Sequence, residues 1–120
     1  MNEEIRLVIP AEADFRPIAH LVAGGLAVRL DLTYDALEDL QVALDALLGL
    51  RDDPGEVTVT LRTLDGSVRA SVGPLPAAAL EEEDGELGVR RVLEAVVDTV
   101  ELEERDDGAW VELEKKAARS

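Results

Sequence analysis

Two alternating apolar runs, at residues 57–61 and 68–72, are joined by the pair Asp65-Gly66. A period of two is typical of a strand with one buried face, and Asp-Gly is a strong signal for a tight hairpin turn. A second turn at 106–108 leads into another alternating run at 109–113. The sequence therefore predicts two antiparallel hairpins, and any fold for this chain has to accommodate both.

Three other segments repeat their apolar residues at helical spacing. The second is the clearest, because Thr33 is a good N-cap and leucines form one stripe over about Tyr34–Leu50. The first runs from Phe15, after a possible capping residue at Asp14, to Arg29, and the third covers 89–100. Gly24-Gly25 within the first helix costs about 1 kcal/mol per glycine relative to alanine, which indicates close packing against a neighbouring element.

With a further short strand at 5–9, the predicted order is β-α-α-β-β-α-β-β. Adjacent hairpins and grouped helices favour an α+β two-layer sandwich. We expect a mainly antiparallel, mixed sheet covered on one face by three helices. No linker or repeat interrupts residues 1–120, so a single domain is predicted, with a polar tail at about 115–120.

Composition excludes several kinds of function. The net charge of −15 disfavours direct binding to nucleic acid or to anionic lipid, and it favours basic protein partners. The chain has no Cys and one His, His20, so it cannot supply a thiolate zinc site or a metal site built from several histidines. The absence of Cys, of an apolar leader and of a membrane-length apolar run predicts a cytoplasmic protein that does not enter the membrane.

Several stretches, in this order and spacing, resemble the anti-sigma-factor serine/threonine kinases, which have the Bergerat fold of the GHKL ATPases. These stretches are 5–11, 31–33 with 38–44, 96–101 and 108–115. The resemblance implies a regulator that dimerises and binds a sigma factor or an antagonist protein. It also implies an ATP site with a magnesium ion, and the residues at that site decide whether this chain can be a kinase.

The family's second helix carries a Glu four residues before an Asn whose amide oxygen binds magnesium. Matching that helix places Asp45 at the Glu and Gly49 at the Asn. Asp45 could act as a base on a shorter side chain. Gly49 has no side-chain oxygen, and magnesium requires nearly complete octahedral oxygen coordination. The resemblance therefore implies that this metal ligand has been lost.

The other nucleotide motifs also differ from the family pattern. Ser71 falls at the Asp that reads adenine, and Gly73 matches the first glycine after it. Gly85 and Gly88 lie near the glycines that hold phosphate at the start of the third helix. The corresponding ATP lid contains Glu81–Glu83, Asp84 and Glu86 and no Lys or Arg, so it repels a triphosphate.

These differences predict a non-catalytic protein-binding module in sigma-factor regulation, a homodimer that needs no ATP or magnesium. Two alternatives remain open at this point: a divergent but active serine/threonine kinase, and an orphan structural or oligomerisation domain. His20 is interpreted as a surface or partner-facing residue. Trp110 is expected to be half-exposed, on the opposite side of its strand from Val111.

Overall fold

The computed structural model describes residues 4–30, 32–64, 66–76 and 88–116. Within them the predicted order is confirmed, with one short 3-10 turn added at Ala13–Phe15. The elements in chain order are β1 (Glu4–Pro10), α1 (Arg16–Leu30), α2 (Tyr34–Leu48), β2 (Glu56–Leu64), β3 (Ser67–Leu75), α3 (Val89–Val96), β4 (Thr99–Arg105) and β5 (Gly108–Lys116).

The five strands form one sheet in the order β1-β2-β3-β5-β4. Both predicted hairpins are present, and Gly66 and Gly108 take positive φ angles of 79° and 141° in their turns. All four strand pairings are antiparallel, so the expectation of a mixed sheet is wrong. β3 and β4 do run in the same direction across α3, but β5 lies between them and pairs antiparallel with both.

The helices pack on one face of this sheet, which confirms the two-layer α+β architecture. α2 lies between α1 and α3 and supplies six buried residues, among them Leu40, Leu44 and Leu47. These side chains meet the inward-facing apolar residues of the strands, such as Val72 and Val111. Aliphatic side chains thus fill the core, as the low aromatic content requires. The other face of the sheet carries no described helix, and we call it the open face.

The start of α1 differs from the sequence-based prediction. Phe15 lies in the 3-10 turn, and the N-cap residue that precedes this turn, Glu12, makes no side-chain capping bond. The Ala13 N–H instead donates to the Asp52 carboxylate, with an N···O distance of 3.1 Å. Asp14 lies inside the turn and caps nothing. Asp52, in the loop between α2 and β2, therefore provides the capping interaction that the sequence assigned to Asp14.

The end of the third helix also differs, because it stops at Val96 while the helical spacing continues to residue 100. Val97 is extended, and the Asp98 N–H donates to the Glu114 carbonyl oxygen at 2.8 Å. Pairing with β5 thus converts the end of the apolar repeat into β4, in which valine is a favourable residue. The helical spacing of apolar residues does not reveal this change from helix to strand, because the same valines fit both.

The sequence assigned Lys115 and Lys116 to a polar tail, and the structure places both in β5, which continues through Lys116. The Lys116 N–H donates to the Asp98 carboxylate at 2.7 Å. Lys115 reaches the helical layer, where its ammonium donates to the Asp39 carboxylate and to the Val96 carbonyl oxygen, both at 3.0 Å. Both lysines are therefore part of the folded domain.

Candidate functional site

The α1–α2 contact contains the residue that the sequence placed at the family's catalytic Glu. Asp45 projects from α2, and its Oδ1 lies 2.7 Å from His20 Nε2 on α1. One helical turn earlier on α2, the Gln41 amide donates to the His20 carbonyl oxygen at 3.3 Å. The hydrogen bond between Asp45 and His20 thus joins α2 to α1. His20, interpreted from the sequence as a surface or partner-facing residue, therefore also has a contact within the fold. The pair is partly exposed, so it joins the two helices but contributes little to their stability.

Gly49 follows the last turn of α2 as its C-cap, with a helical φ of −67°. Its N–H donates to the Asp45 carbonyl oxygen at 2.9 Å. No left-handed backbone conformation requires glycine at this position. The residue is exposed, and it presents no side-chain oxygen to a metal ion.

Ser71 lies on β3, between Ala70 and Val72, which are both fully buried in the core beneath the helices. Successive side chains of a strand point to opposite faces, so Ser71 points to the open face. There it borders a shallow depression together with Thr60 and Glu112. Asp45 and Gly49 belong to the helical layer on the other side. The structure therefore does not bring Ser71 together with them.

Gly73 is also on the open-face side of β3, where it supports Trp110. A Cβ built on Gly73 would collide with the Trp110 indole ring. That ring is held on two further sides: its Nε1–H donates to Asp107 Oδ1 at 2.9 Å, and the Arg105 guanidinium lies 4.4 Å from the ring centroid. Gly73 matches the first glycine of the family's adenine motif, and in this structure its lack of a side chain makes room for the half-exposed Trp110 indole.

We expect Gly73→Ala to lower the free energy of unfolding by about 1–3 kcal/mol, because the indole has to leave its seat or the strand has to shift. Since Trp110 is the sole tryptophan, its fluorescence emission should move to longer wavelength as the ring becomes hydrated. Ser71→Ala is the matched control, two residues earlier on the same face of β3, where a side chain is already accommodated; its free energy of unfolding should change by less than about 1 kcal/mol. An unchanged emission maximum and melting curve for Gly73→Ala would contradict the assignment.

Of the two predicted phosphate-loop glycines, Gly85 lies outside the described residues. Gly88 is buried and forms the N-cap of α3, where its carbonyl oxygen accepts from Arg91 N–H at 3.1 Å and from Val92 N–H at 3.3 Å. Arg90, in the first turn, pairs with Glu94 on the same helix at 3.1 Å. These are the first backbone hydrogen bonds of α3, and the N-cap glycine makes no side-chain capping bond.

The residues present do not fit a magnesium-bound nucleotide in the family's manner. Asp45 is engaged with His20, Gly49 offers no oxygen, and Ser71 faces away from both. Over the residues that the structure describes, no group of three or more His, Cys, Asp or Glu side chains is arranged to hold a metal ion. We therefore derive no chemical step through ATP or magnesium.

The outer surface of α1 is apolar. Ile18, Leu21 and Val28 are 37%, 76% and 82% exposed, on the side opposite the buried Ala19, Ala23 and Leu26. Ile18, Leu21, Gly25 and Val28 follow the three-then-four spacing of a helix–helix seam, and we call these four residues the α1 stripe. Added Cβ atoms at Gly24 and Gly25 meet no described atom within 4 Å. The neighbour predicted from Gly24-Gly25 is therefore not found in the described part of this chain.

By sequence, the chain is similar to bacterial serine-protein kinases named RsbW. The RsbW of Bacillus mycoides is 32% identical over 63 residues, which are 48% of this chain and 39% of that protein. The RsbW of Listeria monocytogenes is 30% identical over 66 residues, 49% of this chain and 42% of that protein. The similarity thus spans about two fifths of these relatives' own length. No protein-family model matches the chain.

By structure, the chain is similar to a crystal structure of the RsbU and RsbW domains of a Mycobacterium tuberculosis protein. The TM-score is 0.72, and the match covers 98% of this chain and 33% of the other, at 16% sequence identity. At that identity the likeness establishes the fold and nothing further. Within the described ranges, no helix combines the length and apolar character needed to cross a membrane.

Sequence reasoning missed two interactions at these positions. The His20–Asp45 pair joins residues 25 apart in sequence, and the only signal for it was that each lies on a predicted helix. The seat of Trp110 on Gly73 depends on the register of β3 with β5, which an alternating pattern does not fix. Trp110 is half-exposed on the side opposite Val111, as expected.

Proposed function

We propose that this chain is an anti-sigma regulatory factor-like protein that binds another protein and does not transfer phosphate. The likeness to RsbW kinases in sequence and to an RsbW-containing structure in fold supports the regulatory role. One observation carries the non-catalytic part. Asp45, at the place of the catalytic Glu, bonds to His20, while Gly49 leaves the metal-ligand place without an oxygen. A cytoplasmic location follows from this role.

The partner that this proposal implies is a sigma factor or an anti-sigma antagonist protein. A chain with a net charge of −15 attracts a basic surface, so encounter should be fast at low salt and slow at high salt. The same charge argues against direct contact with nucleic acid. A protein that has lost its nucleotide contacts can retain such binding, because binding and phosphoryl transfer use different groups.

We expect no magnesium-dependent ATP binding in the physiological concentration range, and no phosphoryl transfer to a protein substrate. Isothermal calorimetry with Mg-ATP measures the first directly. Thermal melting gives an independent reading, since a ligand at a hundred times its dissociation constant stabilises the native state by about 2.7 kcal/mol. An active RsbW kinase, run in parallel, verifies the nucleotide and the assay. A micromolar dissociation constant for this chain would favour the alternative of a divergent active kinase.

The homodimer is also part of the proposal, and the α1 stripe is the surface that supports it. None of the fifteen residues of α1 is acidic, although the chain as a whole is strongly acidic. Two copies can therefore meet along α1 without the like-charge repulsion that most of the surface imposes. Gly24 and Gly25 leave room for a second helix to approach closely, and Leu21 and Val28 offer apolar area.

We expect Leu21→Glu to convert the dimer into a monomer, because it places a charge in the centre of the apolar contact. Light scattering at high micromolar concentration measures the mass. Leu21 is 76% exposed within one copy, so the substitution should leave the fold of that copy intact. The monomeric variant should therefore still melt cooperatively. Val8→Glu is the control, since Val8 is exposed on β1, away from α1. A monomeric wild type that also binds no basic regulatory protein would favour the orphan-domain alternative.

A further inference from the structure

The strand β4 forms one edge of the five-stranded sheet. It pairs with β5 along its inner side, and no strand in the described ranges pairs with its outer side. Every residue of β4 except Val100 is exposed. Such an edge presents a row of backbone donors and acceptors that can pair with another extended chain. The edge is therefore a docking surface for a strand, and its side chains determine which strand it accepts.

The open-face side of this edge carries Glu101, Glu103 and Arg105, and the Arg105 guanidinium pairs with Glu103 at 2.8 Å. The helix side carries Val100, Leu102 and Glu104. Glu101 and Glu103 alternate with Val100 and Leu102, and Leu102 is 44% exposed. A cavity of about 640 Å³ runs beside the strand and is lined in part by these four residues and by Trp110. An added strand with alternating basic and apolar residues would match this pattern, because its side chains also point alternately to the two faces.

We propose that the β4 edge binds an extended, basic segment of a partner protein, which adds a sixth strand to the sheet. The inference rests on the proposed function, since it names where the basic partner docks. A second copy of this chain is a poor occupant: edge-to-edge pairing would bring two sets of Glu101 and Glu103 together, and like charges on neighbouring strands are destabilising. Acidic residues that protect the edge from self-association thus select for a basic strand.

A labelled peptide of alternating lysine and valine tests the proposal by fluorescence anisotropy on the full chain. Two further peptides carry N-methyl groups at the odd or at the even positions. In an added strand only alternate residues hydrogen-bond to the edge, so one methylated peptide should bind like the parent and the other should lose binding. Equal weakening of both, or of neither, would contradict strand addition.

Charge variants test the location. Glu101→Lys with Glu103→Lys should weaken peptide binding by about tenfold or more, because two attractions become repulsions. The control reverses two exposed acidic residues elsewhere, Glu12→Lys with Glu38→Lys, which changes the net charge by the same amount and should have a much smaller effect. Equal losses in both double variants would show non-specific attraction and overturn the edge site.

The outcome is separable from that of the proposed function. Failure of every peptide to bind would overturn the edge site and leave the non-catalytic regulatory role standing. Tight Mg-ATP binding with phosphoryl transfer would overturn that role, while register-selective peptide binding would still establish the edge site. Melting curves of both double variants verify that they fold, which is expected because the altered side chains are exposed. Glu103→Lys also removes the partner of Arg105, so the Trp110 emission of that variant is compared with wild type to verify that the ring keeps its place.

Discussion

Leu44→Ala should lower the free energy of unfolding by about 3–4 kcal/mol. Leu44 is completely buried in the middle of α2, between the other two helices and the sheet. Its removal leaves a cavity that rigid neighbours on both sides cannot fill, and such substitutions cost about 2–5 kcal/mol. Urea denaturation followed by circular dichroism measures the loss as a lower midpoint at an unchanged slope.

Val42→Ala is the matched control on the same helix. Val42 is 40% exposed, and alanine has the higher helix propensity, so the free energy of unfolding should change by less than about 1 kcal/mol. Equal effects of the two substitutions would mean that α2 does not occupy the centre of the helical layer.

Arg51→Ala should cost about 2–3 kcal/mol, since one side chain joins three parts of the fold. Its guanidinium donates to both Asp53 carboxylate oxygens, at 3.0 and 2.6 Å. It also donates to the carbonyl oxygens of Glu56 at 2.7 Å and Pro74 at 3.1 Å. The Arg51 side chain is 13% exposed, so alanine removes a mostly buried donor and its packing together with four hydrogen bonds. Chemical denaturation measures the difference from wild type.

Arg90→Ala is the control, because the exposed Arg90–Glu94 pair within α3 should contribute no more than about 0.5 kcal/mol to the free energy of unfolding.

The stability lost in Arg51→Ala should also depend on pH. The hydrogen bond from Arg51, and then the one from Gly55 N–H, lower the pKa of Asp53 below its ordinary value. A lowered pKa contributes stability above the ordinary value and loses it as the pH falls through the folded-state pKa. The difference between wild type and Arg51→Ala should therefore shrink in acid and stay constant near neutrality.

The elements that the sequence predicted are those with a local cause. Thr33 caps α2, and its hydroxyl oxygen accepts from Ala36 N–H at 3.0 Å. The leucine stripe then carries the helix to Leu48, two residues short of the predicted end. The Asp-Gly turns set both hairpins because glycine adopts the positive φ that each turn requires. Hydrophobic period and turn chemistry act over a few residues, so they can be read from the chain directly.

The candidate site was predictable to a smaller degree. Motif matching located Asp45 and Gly49 on α2, and the structure places them one helical turn apart, with Gly49 N–H bonded to the Asp45 carbonyl oxygen. Motif matching also put Ser71 at the same nucleotide site, although the alternation of Val68, Ala70 and Val72 places Ser71 on the opposite face of its strand. What the alternation cannot give is which side of the sheet carries α2, with Asp45 and Gly49, because distant contacts decide that.

What the tertiary structure alone decided is how distant residues satisfy one another. Asp52 caps the turn before α1 across 39 positions, His20 meets Asp45 across 25, and Lys115 reaches Asp39 across 76. The sequence determined the secondary elements, their order and the acidic character, because these follow from local periodicity and composition. The pairing of polar groups and the seating of Trp110 on Gly73 arise only when the sheet and helices pack, since only then do those atoms come within bonding distance.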